Sequence, residues 1–391
     1  MFVRPKATRD NVSFSNPIKI SYFSTSPIGK AVANAIHVMN MCQAFAHQGH
    51  EVTLFGETVH RDSRRNIFDF YGVSPSFSIK SIYRPYLPVI SGLFFGFVQS
   101  FRARFFNHSD IAYARCIYSS FFALIFGMKL IIEFHEMPYN IIQRFLYWFI
   151  VSNPNTIQIV TISQGLEKDL LALFPNIDTE KCLVAHDGAN SVAKFASSSS
   201  ILVNKMGLCI GYAGGIRAGN GIEMILRIAS TFKEDSFHIA GGTQEQISYW
   251  QARSPGNVHW YGLQNPSRIP CFLQGCDLLL APYQAGPKTE GGKDTISWMS
   301  PMKLFEYMAA GKGIIISDFP VIREVLNGDC AELVAPDDFN AWCAALRRMK
   351  SDSYRQKLGT AALNVFESKY SWSARAKIIF EKASAILHCP R

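Results

Sequence analysis

Short apolar segments of strand length alternate with helix-length segments twice along this chain, and this pattern constrains the fold more than any other feature. The helical periodicity is clearest at Val38, Met41, Cys42 and Phe45, which recur at i, i+3, i+4 and i+7. Apolar strands separated by amphipathic helices are typical of a buried parallel sheet. The predicted strands are residues 18–24, 51–55, 111–115, 130–134, 157–162, 208–212, 237–240, 258–261, 278–281, 313–317 and 331–334.

A polar segment at residues 189–206, with four consecutive serines, separates the two alternations and is predicted to be an interdomain linker. The predicted domains are therefore residues 1–188 and 207–369. With 48% hydrophobic residues, the chain has enough apolar material for two cores. The expected fold class is α/β, with two Rossmann-like, doubly wound domains whose strand carboxyl ends face a central cleft.

The chain is basic, with a formal net charge of +9, which indicates an anionic partner such as phosphate groups, a membrane surface or nucleic acid. Zinc-finger spacing, an RNP-like motif and clustered Lys/Arg runs are absent from the sequence, so nucleic acid is not the expected partner. The nine cysteines form no C-x-x-C pair. This favours reduced thiols, no structural metal and a cytoplasmic location.

No stretch of the sequence is expected to cross a bilayer. Residues 1–17 are polar and lack the apolar core of a signal peptide. The most apolar window, residues 88–98, is about half of the roughly 20 residues that a spanning helix needs. Residues 86–106 combine many phenylalanines with Arg102 and Arg104, which is the composition either of an interfacial helix on an anionic membrane or of a helix packed into the domain core.

Residues 300–311, SPMKLFEYMAAG, predict a helix with Ser300 as N-cap and Pro301 at the first helical position. Lys303 falls in the first turn, where the helix dipole disfavours a cation unless an anion is also present. Glu306 lies three residues further on the same face, where a carboxylate can accept hydrogen bonds from two neighbouring hydroxyls. The alternative for Glu306 is a capping or surface carboxylate.

Two further loops follow predicted strands. Residues 211–221, GYAGGIRAGNG, form a glycine-rich turn before a helix; taken alone, such a turn is more often a tight connection than a phosphate loop. His135 and Glu136 follow the strand at residues 130–134 and are predicted to lie at its carboxyl end, facing the cleft.

These segments, in this order, resemble family 4 retaining GT-B glycosyltransferases, and the residue 300–326 segment resembles the donor site of that family. The resemblance also runs through residues 35–55, 131–138, 160–171, 208–226, 257–263 and 370–376. It implies an N-terminal acceptor-binding domain, a C-terminal nucleotide-sugar domain and a last helix, about residues 370–391, that packs back on the first. Nucleotide-diphosphate sugar is the implied donor, without a cofactor or metal.

The resemblance also implies roles for individual residues. Glu306 would hold the donor ribose, Lys303 would lie beside the phosphates, and His135 would position the donor sugar, with Glu136 as a second catalytic candidate. Gly29 belongs to the loop that approaches the diphosphate from the first domain. The other implied donor-binding residues are Gly214, Gly215, Arg217, Asn220, Ser300, Pro301, Met302 and Leu304.

Three positions depart from the family pattern. Trp298 stands where many members have a first glutamate, Asn220 replaces a lysine and Gly214 replaces an arginine. Candidate replacement cations are Arg217, Lys288, Lys293 and Lys303. These departures leave open a non-catalytic GT-B relative that binds a sugar or a partner, and an epimerase is a third reading. An acceptor sugar or a lipid-linked glycan is the expected second substrate.

Overall fold

The computed structural model describes residues 17–58, 66–82, 90–192, 202–217, 219–284 and 296–388. The predicted N-terminal arm, Lys288 and Lys293 lie outside these ranges. So do parts of the predicted linker and of the 86–106 segment.

The first half of the chain forms a seven-stranded parallel sheet in the order β3-β2-β1-β4-β5-β6-β7. The order reverses between β1 and β4, which pair in parallel, and ligands of doubly wound domains bind at such a switch point. The strands are β1 (Lys19–Ile28), β2 (Glu51–Thr58), β3 (Ser78–Ser81), β4 (Ile111–Ala114), β5 (Lys129–Phe134), β6 (Thr156–Thr161) and β7 (Cys182–Val184).

Helices cover both faces of this sheet because its strands are apolar on both sides. One apolar core contains Val38 and Phe45 together with Phe380 from the last helix, and the other lies beneath the helices that follow β3. The helices of this half are α1 (Ala33–His47), α2 (Ile67–Tyr71), α3 (Ile90–Phe105), α4 (Ile117–Ile125), α5 (Ile141–Ser152) and α6 (Gln164–Leu173).

The second half forms a six-stranded parallel sheet with its own order reversal, β10-β9-β8-β11-β12-β13. Its strands are β8 (Cys209–Ala213), β9 (Ser236–Ala240), β10 (Val258–Gly262), β11 (Leu278–Ala281), β12 (Gly313–Ser317) and β13 (Glu332–Val334). The helices are α7 (Ile222–Thr231), α8 (Gln244–Gln251), α9 (Ile269–Gln274), α10 (Met302–Ala310), α11 (Pro320–Arg323), α12 (Phe339–Met349), α13 (Asp352–Lys369) and α14 (Trp372–His388).

The predicted α/β class with two Rossmann-like domains is confirmed, and every predicted strand has a counterpart in the two sheets. Two strands were not predicted. β3, SIKS, lies at the sheet edge with an exposed, polar pattern, and β7 is only three residues long. β3 lacks the apolar run that identifies a buried strand, and the apolar run of β7 is too short to be recognised as one.

The chain passes between the domains twice, and the two passages lie side by side. Ala189 donates its N–H to the Tyr370 carbonyl at 3.2 Å and accepts from the Trp372 N–H at 3.3 Å. After the second passage, α14 packs against α1 and β6 of the first domain. Among the described residues no helix is long and apolar enough to cross a membrane.

Candidate active site

A cavity of about 310 Å³ lies between the two domains. Ala31, Ala33 and Ile36 contribute the wall from the first domain, at the turn after β1 and the start of α1. Seven of the predicted site residues line the opposite wall: Gly214, Gly215, Asn220, Pro301, Met302, Lys303 and Glu306. The loop after β8 and the beginning of α10 therefore meet at one place, as parallel-sheet topology favours.

The beginning of α10 differs by one residue from the prediction. Helical structure starts at Met302, Pro301 is the N-cap residue, and no side chain caps the helix. Ser300 was predicted to be the N-cap, but its hydroxyl oxygen instead accepts a hydrogen bond from the Asp187 N–H at 2.8 Å. The capping prediction is wrong because Ser300 is engaged by the other domain, and its side chain does not line the cavity.

On the first turns of α10, Lys303 is buried and Glu306 is partly buried. Lys303 is only 9% exposed, and its ammonium lies 3.9 Å from the ring centre of Tyr212 and 4.8 Å from that of Tyr283. Burial lowers the pKa of Lys303 to about 7 and raises the pKa of Glu306 to about 7, while their mutual attraction opposes both shifts. A buried, poorly compensated ammonium is a suitable site for a phosphate anion.

The glycine-rich loop fits closely around Lys303. Gly214 has φ +147°, and a Cβ there would come within 2.7 Å of the Lys303 Cε. The hydroxyl of Tyr212 and the side-chain amide of Asn220 both donate to the Gly215 carbonyl, at 2.6 and 2.9 Å. Asn220 thus holds the loop in shape, where the resembling family would place a lysine.

Besides Ser300, two further predicted donor-binding residues of the second domain lie away from the cavity wall. Arg217 has an exposed side chain on the outer part of the loop. Leu304 is 1% exposed and packs in the core of the second domain, so it does not line the cavity. Lys303 is therefore the only one of the described candidate replacement cations that lines the cavity.

In the first domain, His135 belongs to a buried polar network around Glu133. Glu133, at the end of β5, accepts hydrogen bonds from Tyr113 and Arg375 and lies 3.0 Å from His37 Nε2. Its other close neighbour is His135 Nε2. Although burial alone would raise the pKa of Glu133, Arg375, His37 and His135 hold it well below its usual range.

The environment of His135 keeps its imidazole neutral. Burial is the main cause that lowers the pKa of His135 to about 4, and the Arg115 guanidinium, 3.1 Å from its Nδ1, adds to the effect. A neutral imidazole that is held by both Glu133 and Arg115 is suited to position a substrate. Glu136, the second candidate, has an exposed side chain.

His37, Glu133 and His135 bring three potential metal ligands within 4.8 Å of one another. However, the Glu133 carboxylate is already occupied by Tyr113, His135 and Arg375, and the arginine contributes positive charge. A bound cation would have to displace these hydrogen bonds, so the arrangement is better described as a hydrogen-bonded network.

Gly29 lies on the first-domain side of the cleft without lining the cavity itself. It has φ +105° and donates its N–H to the Tyr71 hydroxyl at 2.8 Å, and the same hydroxyl donates to the Lys30 carbonyl. Burial raises the pKa of Tyr71 to about 12. The turn that carries Ala31 and Ala33 is therefore held by a neutral tyrosine.

Several residues of the site were not predicted. Tyr283 lies in no motif, and Glu133 lies inside an apolar strand sequence. Tyr212, His37 and Arg375 lie in segments that resemble the family, but no role was predicted for them from the sequence. The one available signal was Glu133 itself, because a carboxylate in a buried strand requires a partner.

Trp298, at the position of the missing first glutamate, contacts the first domain. Its indole N–H donates to Asp169 at 2.7 Å, and its carbonyl accepts from the Ser163 hydroxyl at 2.9 Å. Gly165 approaches the same segment closely, since a Cβ there would lie 2.3 Å from the Ser297 carbonyl. In this chain the position therefore supports the domain contact.

Comparison with known proteins agrees with this geometry. Residues 207–352 match the family model of glycosyl transferases group 1. Over 167 residues the chain is 28% identical to TuaH of Bacillus subtilis (strain 168), which is described as a teichuronic acid biosynthesis glycosyltransferase. That match covers 41% of this chain and 40% of TuaH, so the chain spans about two fifths of the length of this relative.

Solved structures resemble nearly the whole chain. A glycosyltransferase from Rickettsia africae ESF-5 superposes with a TM-score of 0.69 and 15% identity, over 96% of this chain and 100% of its own. HepE of Anabaena, in complex with UDP-glucose, gives a TM-score of 0.68 and 12% identity, over 94% and 100%. The chain thus has the GT-B fold of glycosyltransferases, and its second domain matches the glycosyl transferases group 1 family over residues 207–352.

Proposed function

We propose that this protein is a cytoplasmic, retaining glycosyltransferase that moves a sugar from a nucleotide-diphosphate sugar to an acceptor in cell-surface polysaccharide or glycolipid assembly. The observation that carries the proposal is the interdomain cavity in which Lys303 and Glu306 of α10 meet the Gly214–Gly215 turn. The match of residues 207–352 to glycosyl transferases group 1 and the name of TuaH support the same activity.

The donor would bind across the beginning of α10. Its diphosphate would lie against Lys303 and the positive end of the helix dipole, where free backbone N–H groups also attract anions. Glu306, one turn deeper, would accept hydrogen bonds from the two ribose hydroxyls. Gly214 allows this approach because a side chain there would collide with Lys303.

The transfer would proceed on one face of the sugar. The bond between the anomeric carbon and the phosphate oxygen breaks, and the acceptor oxygen forms the new bond from the same side, so the configuration is retained. The leaving diphosphate takes the acceptor hydroxyl proton, and the products are a glycoside and a nucleoside diphosphate. Charge develops on the leaving phosphates, which is where Lys303 stabilises it.

Metal independence is part of the proposal. Glu306 is the only acidic residue among the described residues that line the cavity, and the proposal uses it for the ribose hydroxyls. No second lining carboxylate is then left beside the diphosphate to hold a magnesium ion. HepE was solved with UDP-glucose, so uridine nucleotides come first in the test.

The direct test is calorimetry and thermal shift of the purified protein with UDP, GDP, ADP, CMP and their common sugar conjugates, with and without EDTA. We expect saturable binding of one nucleoside diphosphate that EDTA does not change. No binding across the panel would instead favour a non-catalytic GT-B relative, and binding that EDTA abolishes would refute metal independence.

Two variants separate binding from turnover. Glu306→Ala should weaken nucleotide binding at least tenfold, because the ribose loses a buried acceptor. His135→Ala should leave nucleotide binding within about twofold and reduce turnover, which is measured as hydrolysis or transfer of the donor identified in the screen. Unchanged binding and turnover in both variants would refute the assignment of the site.

A further inference from the structure

Helices α3, α4 and α5 expose an unusual amount of apolar surface. Among the described residues, twelve of the seventeen exposed large apolar side chains lie between Leu93 and Trp148. On α5, Ile141 is 77% exposed, Phe145 62% and Trp148 51%. Concentration on three neighbouring helices, rather than scatter over the surface, indicates an interaction site. We call the exposed apolar residues of α3, α4 and α5 the aromatic face.

Ring contacts connect the three helices into one surface. Phe97 and Phe101 of α3 stack with their centres 5.8 Å apart, and Phe101 lies 6.1 Å from Phe126, directly after α4. At the other side of α4, Phe121 lies 5.3 Å from Phe149 of α5. Meanwhile Phe95 and Ala103, on the inner side of α3, are fully buried. The inner side of α3 therefore packs in the core, and its other side belongs to the exposed surface.

The charge on these helices has a single sign. Arg102, Arg104 and Arg144 are exposed, and the sequences of α3, α4 and α5 contain no acidic residue. Arg104 donates to the Phe126 carbonyl at 3.2 Å, so one cation is fixed at the junction between α3 and α4. The aromatic face is therefore apolar and cationic together.

We propose that the aromatic face is the surface on which the protein docks to a membrane that contains anionic lipids. Aromatic rings and leucine or isoleucine side chains enter the boundary between headgroups and acyl chains, while arginines pair with lipid phosphates. A two-fold dimer through the same face would set arginines against arginines, without acidic residues on the three helices to pair them. Charge complementarity thus selects a lipid surface over a second copy of the chain.

Docking in this way would bring the cleft close to the bilayer. α5 begins only six residues after His135, the residue proposed to position the donor sugar, so the first turn of α5 is close in the chain to the proposed reacting centre. If the proposed transferase activity holds, the acceptor would be carried on a lipid, and the docked enzyme would receive it at the membrane surface. The docking itself does not depend on that activity.

Vesicle sedimentation tests the proposal on the full chain. We expect binding to phosphatidylcholine vesicles that contain about 30% phosphatidylglycerol and weaker binding to pure phosphatidylcholine vesicles, because anionic lipids attract basic residues. High salt should abolish the binding to the anionic vesicles. Each of Arg102→Gln and Arg144→Gln should weaken binding about fivefold, the usual effect of one basic residue. Phe145→Glu should abolish the binding.

Trp148 fluorescence should shift to shorter wavelength with anionic vesicles, and the shift should be missing in Trp148→Phe.

Tyr249→Glu is the matched control, because Tyr249 is 53% exposed on α8 of the other domain, and it should bind vesicles like the unmodified protein. Circular dichroism and nucleotide calorimetry of Phe145→Glu check its folding and keep failure of docking distinct from failure of the proposed activity. No binding to anionic vesicles, or equal loss in Tyr249→Glu, would overturn the proposal. So would a dimer that Phe145→Glu converts to a monomer.

Discussion

The Glu133 carboxylate and the Arg375 guanidinium lie 3.2 Å apart and are fully buried, although 242 residues separate them in the chain. Arg375 also donates to the carbonyls of His186 and Ala185 at 2.8 and 3.1 Å. This one side chain therefore attaches α14 to β5 and to the segment after β7. The same carboxylate contacts His135. Glu133 therefore both attaches the last helix and holds His135 of the proposed reacting centre in place.

Removal of Arg375 should destabilise the first domain. In Arg375→Met the Glu133 charge stays buried without its main partner, and a broken buried ion pair typically costs about 3 to 5 kcal/mol. Urea denaturation should show this loss in the free energy of unfolding. Adding Glu133→Gln to Arg375→Met should restore part of it, because the unpaired charge is then absent. If the double variant lost as much stability as the two single variants lose together, this coupling would be contradicted.

The Gly214 conformation should be required for donor binding. In Gly214→Ala the new Cβ meets Lys303 and the backbone keeps a φ of +147°, which is strained for any residue with a Cβ. We expect a stability loss of about 1 to 3 kcal/mol and nucleotide binding weakened roughly tenfold or more, which corresponds to about 1.4 kcal/mol. Gly256→Ala is the control, since a Cβ there meets nothing within 4 Å. Equal behaviour of the two variants would show that the glycine is not needed for the fit around Lys303.

The sequence was most informative where the signal is local. Residues 278–281 and 313–317 were predicted as strands with the bounds that β11 and β12 have, because each is a short apolar run between turn residues. Lys303 and Glu306 could be placed on one helical face because a spacing of three residues fixes their relation. Ser300 was misjudged as a cap because its partner, Asp187, comes from the other domain.

Contacts between residues that are far apart in the chain could not be predicted from the sequence. The partners of Glu133 come from α1, β4 and α14, and no periodicity links residues so far apart in the chain. The aromatic face shows a related limit. Residues 141–151, IIQRFLYWFIV, read equally well as a core helix, and only the packing of α4 and α5 shows which side stays exposed.

Donor binding should be accompanied by proton uptake near pH 8. In the ligand-free protein burial lowers the pKa of Lys303 to about 7, so at pH 8 the amine is mostly neutral. A bound diphosphate raises that pKa, because a nearby anion favours the ammonium. The pKa of Glu306, about 7, leaves this carboxyl mostly ionised at pH 8. Lys303 is then the main expected acceptor of the proton.

The uptake is measured by titration calorimetry with the nucleoside diphosphate at pH 8 in two non-phosphate buffers of different ionisation enthalpy, such as HEPES and Tris. The difference in binding enthalpy should correspond to nearly one proton taken up at pH 8, and the uptake should decrease toward pH 6, because Lys303 is increasingly charged before the diphosphate binds. Lys303→Met should bind more weakly and take up no proton, whereas Glu306→Gln should retain the uptake at pH 8. Equal enthalpies in the two buffers, with tight binding, would show that Lys303 is charged before the diphosphate arrives.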